Sequence, residues 1–254
     1  MRLLMPIPPP RKGESGGKPR RDEGKTVQIR LVGMAFCQIL RLGFPLKGAN
    51  CAVRTGNGAV SLSSGSPDWV SQAIGGEAKA ELTIGKTAEE KLLGKSGFAL
   101  SSVAFRDKGE LDPSFTAVEE DAVAPPLEWT APPPGSQELV LVVEDADDGK
   151  VHWLVWGLKA QKGALFEGEA PPRTGKNALG NSEWMLPDPP LGVEHRYVFQ
   201  LFALDLPLTL MPGAGYEELF NQIKGHVTAA AMLTARFEGH EIEELDAEDF
   251  DIED

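Results

Sequence analysis

The sequence predicts a mainly β fold with few, short helices, and three observations carry that prediction. Glycine (28) and proline (20) are dense for 254 residues, and long helices tolerate few such breakers. Three apolar runs have strand length: QELVLVVE (137–144), VHWLVWGL (151–158) and HRYVFQLFALD (195–205). Finally, Val227, Ala229, Ala231, Leu233, Ala235 and Phe237 recur at every second position. The alanines there would also suit a helix, but the period of two decides for a closing strand.

Taken in order, residues 1–65 show no sustained period and are rich in Gly, Pro, Arg and Ser, so they are expected to be a disordered basic extension. Residues 66–96 read as a short amphipathic helical and linker segment. It opens at Pro67-Asp68-Trp69-Val70, with Asp68 placed to cap a helix that carries Ile74. The folded domain is expected over 97–238. A strand over 98–105 ends at the turn Arg106-Asp107-Lys108-Gly109, and Leu127-Glu128-Trp129 precedes a proline-rich turn at 132–135. The run 137–144 is apolar almost throughout, as a strand covered on both faces requires. An acidic turn (EDADDGK) leads into 151–158, and 168–192 is irregular and rich in Pro and Gly. Residues 216–223 read as a helix before the closing strand. Residues 239–254 are expected to be an acidic disordered tail.

Charge narrows the function classes. Residues 1–54 hold eleven Lys/Arg against three Asp/Glu, whereas residues 241–254 hold nine acids and no base. The net charge of −13 therefore leaves a strongly acidic middle, which would repel a phosphate backbone and excludes nucleic acid as its partner. Prolines interrupt the first residues, and Gln38 and Arg41 break the apolar stretch 31–46 below the ~20 residues of a spanning helix. Two cysteines, Cys37 and Cys51, without ligand spacing fit a reducing compartment, and the chain is expected to be cytoplasmic.

Ionisable side chains cluster at strand ends. Leu139, Leu141, Val143 and Asp145 share one strand face, so Asp145 ends a core-facing row where an unpaired carboxylate is costly. His152 follows a short turn, and His195 shares a face with Tyr197 on the third strand. Asp145, Asp147, His152 and His195 are thus expected at one rim of a sheet. A carboxylate favours the cationic form of a neighbouring imidazole, which can donate to phosphate or carboxylate oxygens. Such a group of two His and two Asp is equally able to hold a metal. Arg196 points away from His195 and is expected to pair with an acid. His226, opening the closing strand, is expected to be structural, with a place at the same rim as the alternative.

The ordered series APPLEW (124–129), LVVEDAD (141–147), VHWLVWGL (151–158) and HRYVFQLFALD (195–205) resembles the phosphatidylethanolamine-binding protein family, in its bacterial Raf-kinase-inhibitor-like branch. The segments FALSSVAFRDKGEL and GHVTAAAMLTARFE fit the same branch, and the resemblance spans about residues 97–238. It implies a large central antiparallel sheet, a smaller sheet packed on it, and a cavity for phosphate-like or carboxylate groups such as a phospholipid headgroup. The family's Asp-Pro-Asp aspartates fall on Asp145 and Asp147, with Ala146 in place of the proline. Its two histidines fall on His152 and His195. Pro189 and Pro190, in PDPPLG, take the place of its proline-rich pocket wall, and Trp184 stands on the approach to that wall. The expected function is a binding protein for a small anionic ligand, with no cofactor and no catalytic residue. The alternatives are a hydrolase using Asp145 with His152 or His195, as acid–base pair or metal site, and a regulator acting through a protein partner.

Overall fold

A computed structural model describes residues 66–240. The elements in chain order are α1 (Asp68–Ile74), α2 (Thr83–Thr87), β1 (Leu100–Ser101), β2 (Gly109–Glu110), β3 (Leu127–Trp129), β4 (Glu138–Asp145), β5 (Val151–Lys159), β6 (Gly163–Leu165), β7 (Arg173–Thr174), β8 (Glu194–Leu204), α3 (Tyr216–Ile223) and β9 (Val227–Glu238). Six strands form one sheet in the order β2-β9-β8-β4-β5-β7, antiparallel except for the parallel pair β2–β9. The order β1-β3-β6 forms a small antiparallel sheet. The basic extension over 1–65 and most of the acidic tail (241–254) lie outside the described residues. Among the described residues no helix is long and apolar enough to cross a membrane.

β4 explains the layering. Leu139, Leu141 and Val143 pack with Leu127, Trp129 and Leu165 of the small sheet, while Val140 and Val142 pack with Val70, Ile84, Leu219 and Ile223 on the helical side. A strand sandwiched in this way must be apolar at consecutive positions, which is the pattern of 137–144. Its two glutamates are buried but satisfied. Glu138 accepts from Gly157 N and Leu208 N, and Glu144 from Thr83 N and Oγ1 and from Gln200 Nε2. Thr83 and Ile84 open α2, so Glu144 and Gln200 satisfy two amides that a helix start leaves free. Burial pushes the Glu144 carboxyl above its ordinary value.

Three expectations are corrected. Residues 66–96 do not form a linker ahead of the body: Val70, Ile74, Leu82 and Ile84 are all at most 2% exposed, within the core beneath the large sheet. Small side chains on β9 admit this segment, since Gly94 N donates to Ala230 O at 2.9 Å. Pro67, not Asp68, sits at the N-cap of α1, and Asp68 lies in its first turn. The strand expected over 98–105 shrinks to two residues. β1 pairs Leu100 with Trp129 and Ser101 with Glu128, and just before β3 stand Pro125 and Pro126, which have no N–H to continue the ladder. The helix at 216–223 and the strand at 227–237 form as read.

Candidate functional site

The β4–β5 turn and the start of β8 build the site. β4 pairs antiparallel with β8, in a register that sets Asp145 opposite Tyr197 and leaves His195 just beyond the end of β4. His195 Nδ1 lies 2.6 Å from Asp145 Oδ2. The other Asp145 oxygen, Oδ1, accepts from Asp147 N (2.7 Å) and Asp148 N (3.3 Å), so this carboxylate shapes the turn that follows it. Burial raises the Asp145 carboxyl, and the bonds from Asp147 and His195 only partly offset this. His152, 2% exposed on β5, holds Met185 O with Nδ1 at 2.7 Å. Its ring meets Tyr197 edge-on at 5.0 Å. Burial depresses the His152 imidazole and keeps the Tyr197 hydroxyl protonated.

These side chains line one cavity of about 640 Å³, together with Asp148, Lys150, Trp184, Asp188 and Pro190. The structure therefore brings together Asp145, His152, His195, Tyr197, Trp184 and Pro190 of the residues read from the sequence. Trp184 is also anchored in the core: its Nε1 donates to Phe115 O at 3.1 Å, and its ring stacks on Phe199. Pro189 is buried behind the wall. A Cβ on Gly239 would collide with the carbonyl oxygens of Pro189 and Pro190, so a side-chain-free residue at 239 lets the proline wall close against the end of β9.

Asp147 and His226 stand elsewhere. Asp147 turns away from the cavity and takes Arg196 N, Nε and a terminal nitrogen on its two oxygens at 2.9–3.1 Å. Burial would raise its carboxyl, but the bonds and charge of Arg196 outweigh this and hold it below the ordinary value. Arg196 also donates to Glu77 O, and Lys79 Nζ lies 3.3 Å from Asp147, so this cluster clamps the 66–96 segment to the turn beneath the pocket. His226 pairs with Asp205 at the far end of the sheet. β9 runs antiparallel to β8, pairing Phe237 with His195 and Val227 with Leu204, which puts His226 about 30 Å away at ~3.3 Å per residue.

Asp148, not Asp147, is the second cavity aspartate; its Oδ2 lies 2.7 Å from Lys150 Nζ. The acidic turn EDADD announced a carboxylate here but not which one faces in. Met185 O, which fixes His152, left no sequence signal. Asp145, Asp148 and His195 each offer a ligand atom within 4.8 Å of the others, a donor set of the type that holds a divalent cation. The Lys150 ammonium already supplies the positive charge on Asp148.

The comparisons agree with this fold. A protein of Methanothermobacter thermautotrophicus, named UPF0098 protein, is 35% identical over 144 residues, covering 53% of this chain and 94% of the relative. The solved phosphatidylethanolamine-binding protein homologue CT736 from Chlamydia trachomatis superposes with a TM-score of 0.53 at 30% identity, covering 56% of this chain and 98% of that one. Escherichia coli YBCL, a member of the mammalian PEBP family, shares the fold with a TM-score of 0.52 at 21% identity, covering 56% and 99%. Residues 101–238, more than half of the chain, match the family profile described as phosphatidylethanolamine-binding protein, and the chain belongs to that family.

Proposed function

We propose that this chain is a binding protein whose cavity takes a phosphate-like or carboxylate group, of the kind a phospholipid headgroup presents. One observation carries the reading: His195 is held by the buried Asp145 at 2.6 Å, in the cavity that His152 and Tyr197 also line. Asp145 engages Nδ1, so a proton gained by the ring sits on Nε2, where it can donate to an anion. Binding is favoured over acid–base hydrolysis because both Asp145 oxygens are already committed, one to His195 and one to the turn amides. A small anionic ligand is therefore the partner class, and a reducing cytoplasm, argued from the two cysteines, is the compartment.

Calorimetric titration with phosphorylethanolamine tests this. The His152→Ala and His195→Ala variants should each bind about 1–3 kcal/mol more weakly, the scale of a hydrogen bond to a charged group. Wild-type affinity in both variants would overturn the reading.

A further inference from the structure

We propose that the cavity selects a tetrahedral oxyanion that still carries an O–H, a phosphate monoester or inorganic phosphate, over sulfate and over phosphodiesters. The inference rests on the anion-binding reading above and narrows it, because an intact phospholipid headgroup is a diester and only its released monoester fragment, or free phosphate, carries the O–H. Its starting point is the proton on His152. A carbonyl oxygen has no hydrogen, so the 2.7 Å contact with Met185 O requires His152 to donate from Nδ1. A neutral ring with that tautomer presents a bare lone pair at Nε2.

The neutral ring follows from its surroundings. His152 is 2% exposed, enclosed by the edge-on Tyr197 ring and by Trp184. Burial, with Lys150 acting in the same direction, outweighs the Met185 bond and the Asp145 and Asp148 charges that favour the cation, and holds the imidazole below its ordinary range. Nor is Nε2 sealed in. The one fully buried side-chain polar atom without a partner among the described residues is Thr234 Oγ1. His152 Nε2 has no protein partner there either, so it opens onto the cavity that the ring lines.

A ligand filling this cavity therefore meets an acceptor at His152 and donors at Tyr197 and Lys150. Carboxylates of Asp148, Glu183 and Asp188 add further acceptors around the rim. An anion with lone pairs only would face the His152 lone pair and leave it unmatched. A singly protonated phosphate satisfies both sides, because its P–OH donates to Nε2 while its other oxygens accept. Sites built around such a donor reject analogues that lack it.

The test uses the wild-type chain at pH 6, near the second ionisation of phosphate monoesters at ~6. Calorimetry compares inorganic phosphate, phosphorylethanolamine, the diester glycerophosphorylethanolamine, and sulfate. The expected result is that the first two bind at least ~10-fold more tightly than the diester and sulfate, the factor expected when one such hydrogen bond goes unmade. A preference for phosphorylethanolamine over inorganic phosphate would identify a headgroup fragment as the source, and equal binding would identify free phosphate. Sulfate within threefold of phosphate would overturn the selection and leave the anion pocket standing. A diester that matches the monoester would also overturn it, by assigning the donor to the ammonium group. Absence of binding by every probe would overturn both. In His152→Gln, whose amide both donates and accepts, the phosphate-to-sulfate ratio should fall toward one, and an unchanged ratio would contradict the role given to Nε2.

Discussion

Replacing Asp147 by Ala probes the clamp that ties the 66–96 segment to the pocket turn. The Asp147 side chain is 5% exposed and the Arg196 side chain 14%. The guanidinium donates two bonds to the carboxylate, and the Arg196 amide a third. Once the carboxylate is gone, Glu77 O is the only partner left to the guanidinium among the described residues. Breaking a buried pair costs about 3–5 kcal/mol, and the slight solvent contact of Arg196 argues for the low end, about 3 kcal/mol. Lys79, with its side chain 67% exposed, adds little, and Lys79→Ala should cost under ~1 kcal/mol. Urea denaturation of the full chain, followed by tryptophan fluorescence, measures each loss. The cycle through Asp147→Ala, Arg196→Ala and the double variant should give a coupling of about 2–3 kcal/mol. A coupling under ~0.5 kcal/mol, typical of a solvated pair, would refute the clamp.

Three further outcomes are expected. Ile84→Ala should destabilise by about 2–5 kcal/mol, because Ile84 is fully buried beneath the large sheet, and a loss under ~1 kcal/mol would return 66–96 to linker status. His152 has a lowered folded value, so below its ordinary 6.5 the unfolded chain takes up the proton first; its contribution is complete above 6.5 and lost as pH falls below it. Urea midpoints at pH 7.5 and 5.5 should therefore diverge more in wild type than in His152→Gln, and equal divergence would contradict the buried neutral imidazole. Gly239→Ala should displace the Pro189–Pro190 wall, costing about 1–3 kcal/mol of stability and weakening phosphorylethanolamine binding; unchanged calorimetric affinity would separate the wall from the site.

Much of the fold was legible because burial leaves a periodic trace. β4, β5 and β8 lie in the middle of a sheet covered on both faces, and their near-continuous apolar runs say so. The 66–96 segment was harder to read, since it docks through a few side chains and through Glu144 and Gln200, whose partners are 116 and fewer residues away in the chain. In the site, strand alternation was enough to gather Asp145, His195 and Tyr197, and to send Arg196 the other way. It stops at the turn: beyond Asp145 the direction of each side chain depends on which amides that carboxylate captures, so Asp147 and Asp148 exchange places. For His226 a signal existed that decides for the structural reading over the rim. A closing strand antiparallel to 195–205 begins opposite Asp205, where His226 is found, far from His195.

The central claim is that Asp145, His152, His195 and Tyr197 surround a phosphate-like ligand, and the imidazoles themselves report on it. Four histidines give a sparse nitrogen-15 spectrum of the side chains. On titration with phosphorylethanolamine at pH 6, the account predicts that the His152 and His195 ring signals shift together, with one Kd, while His226 at the far end of the sheet stays in place. Static His152 and His195 signals, or a His226 shift of equal size, would contradict it.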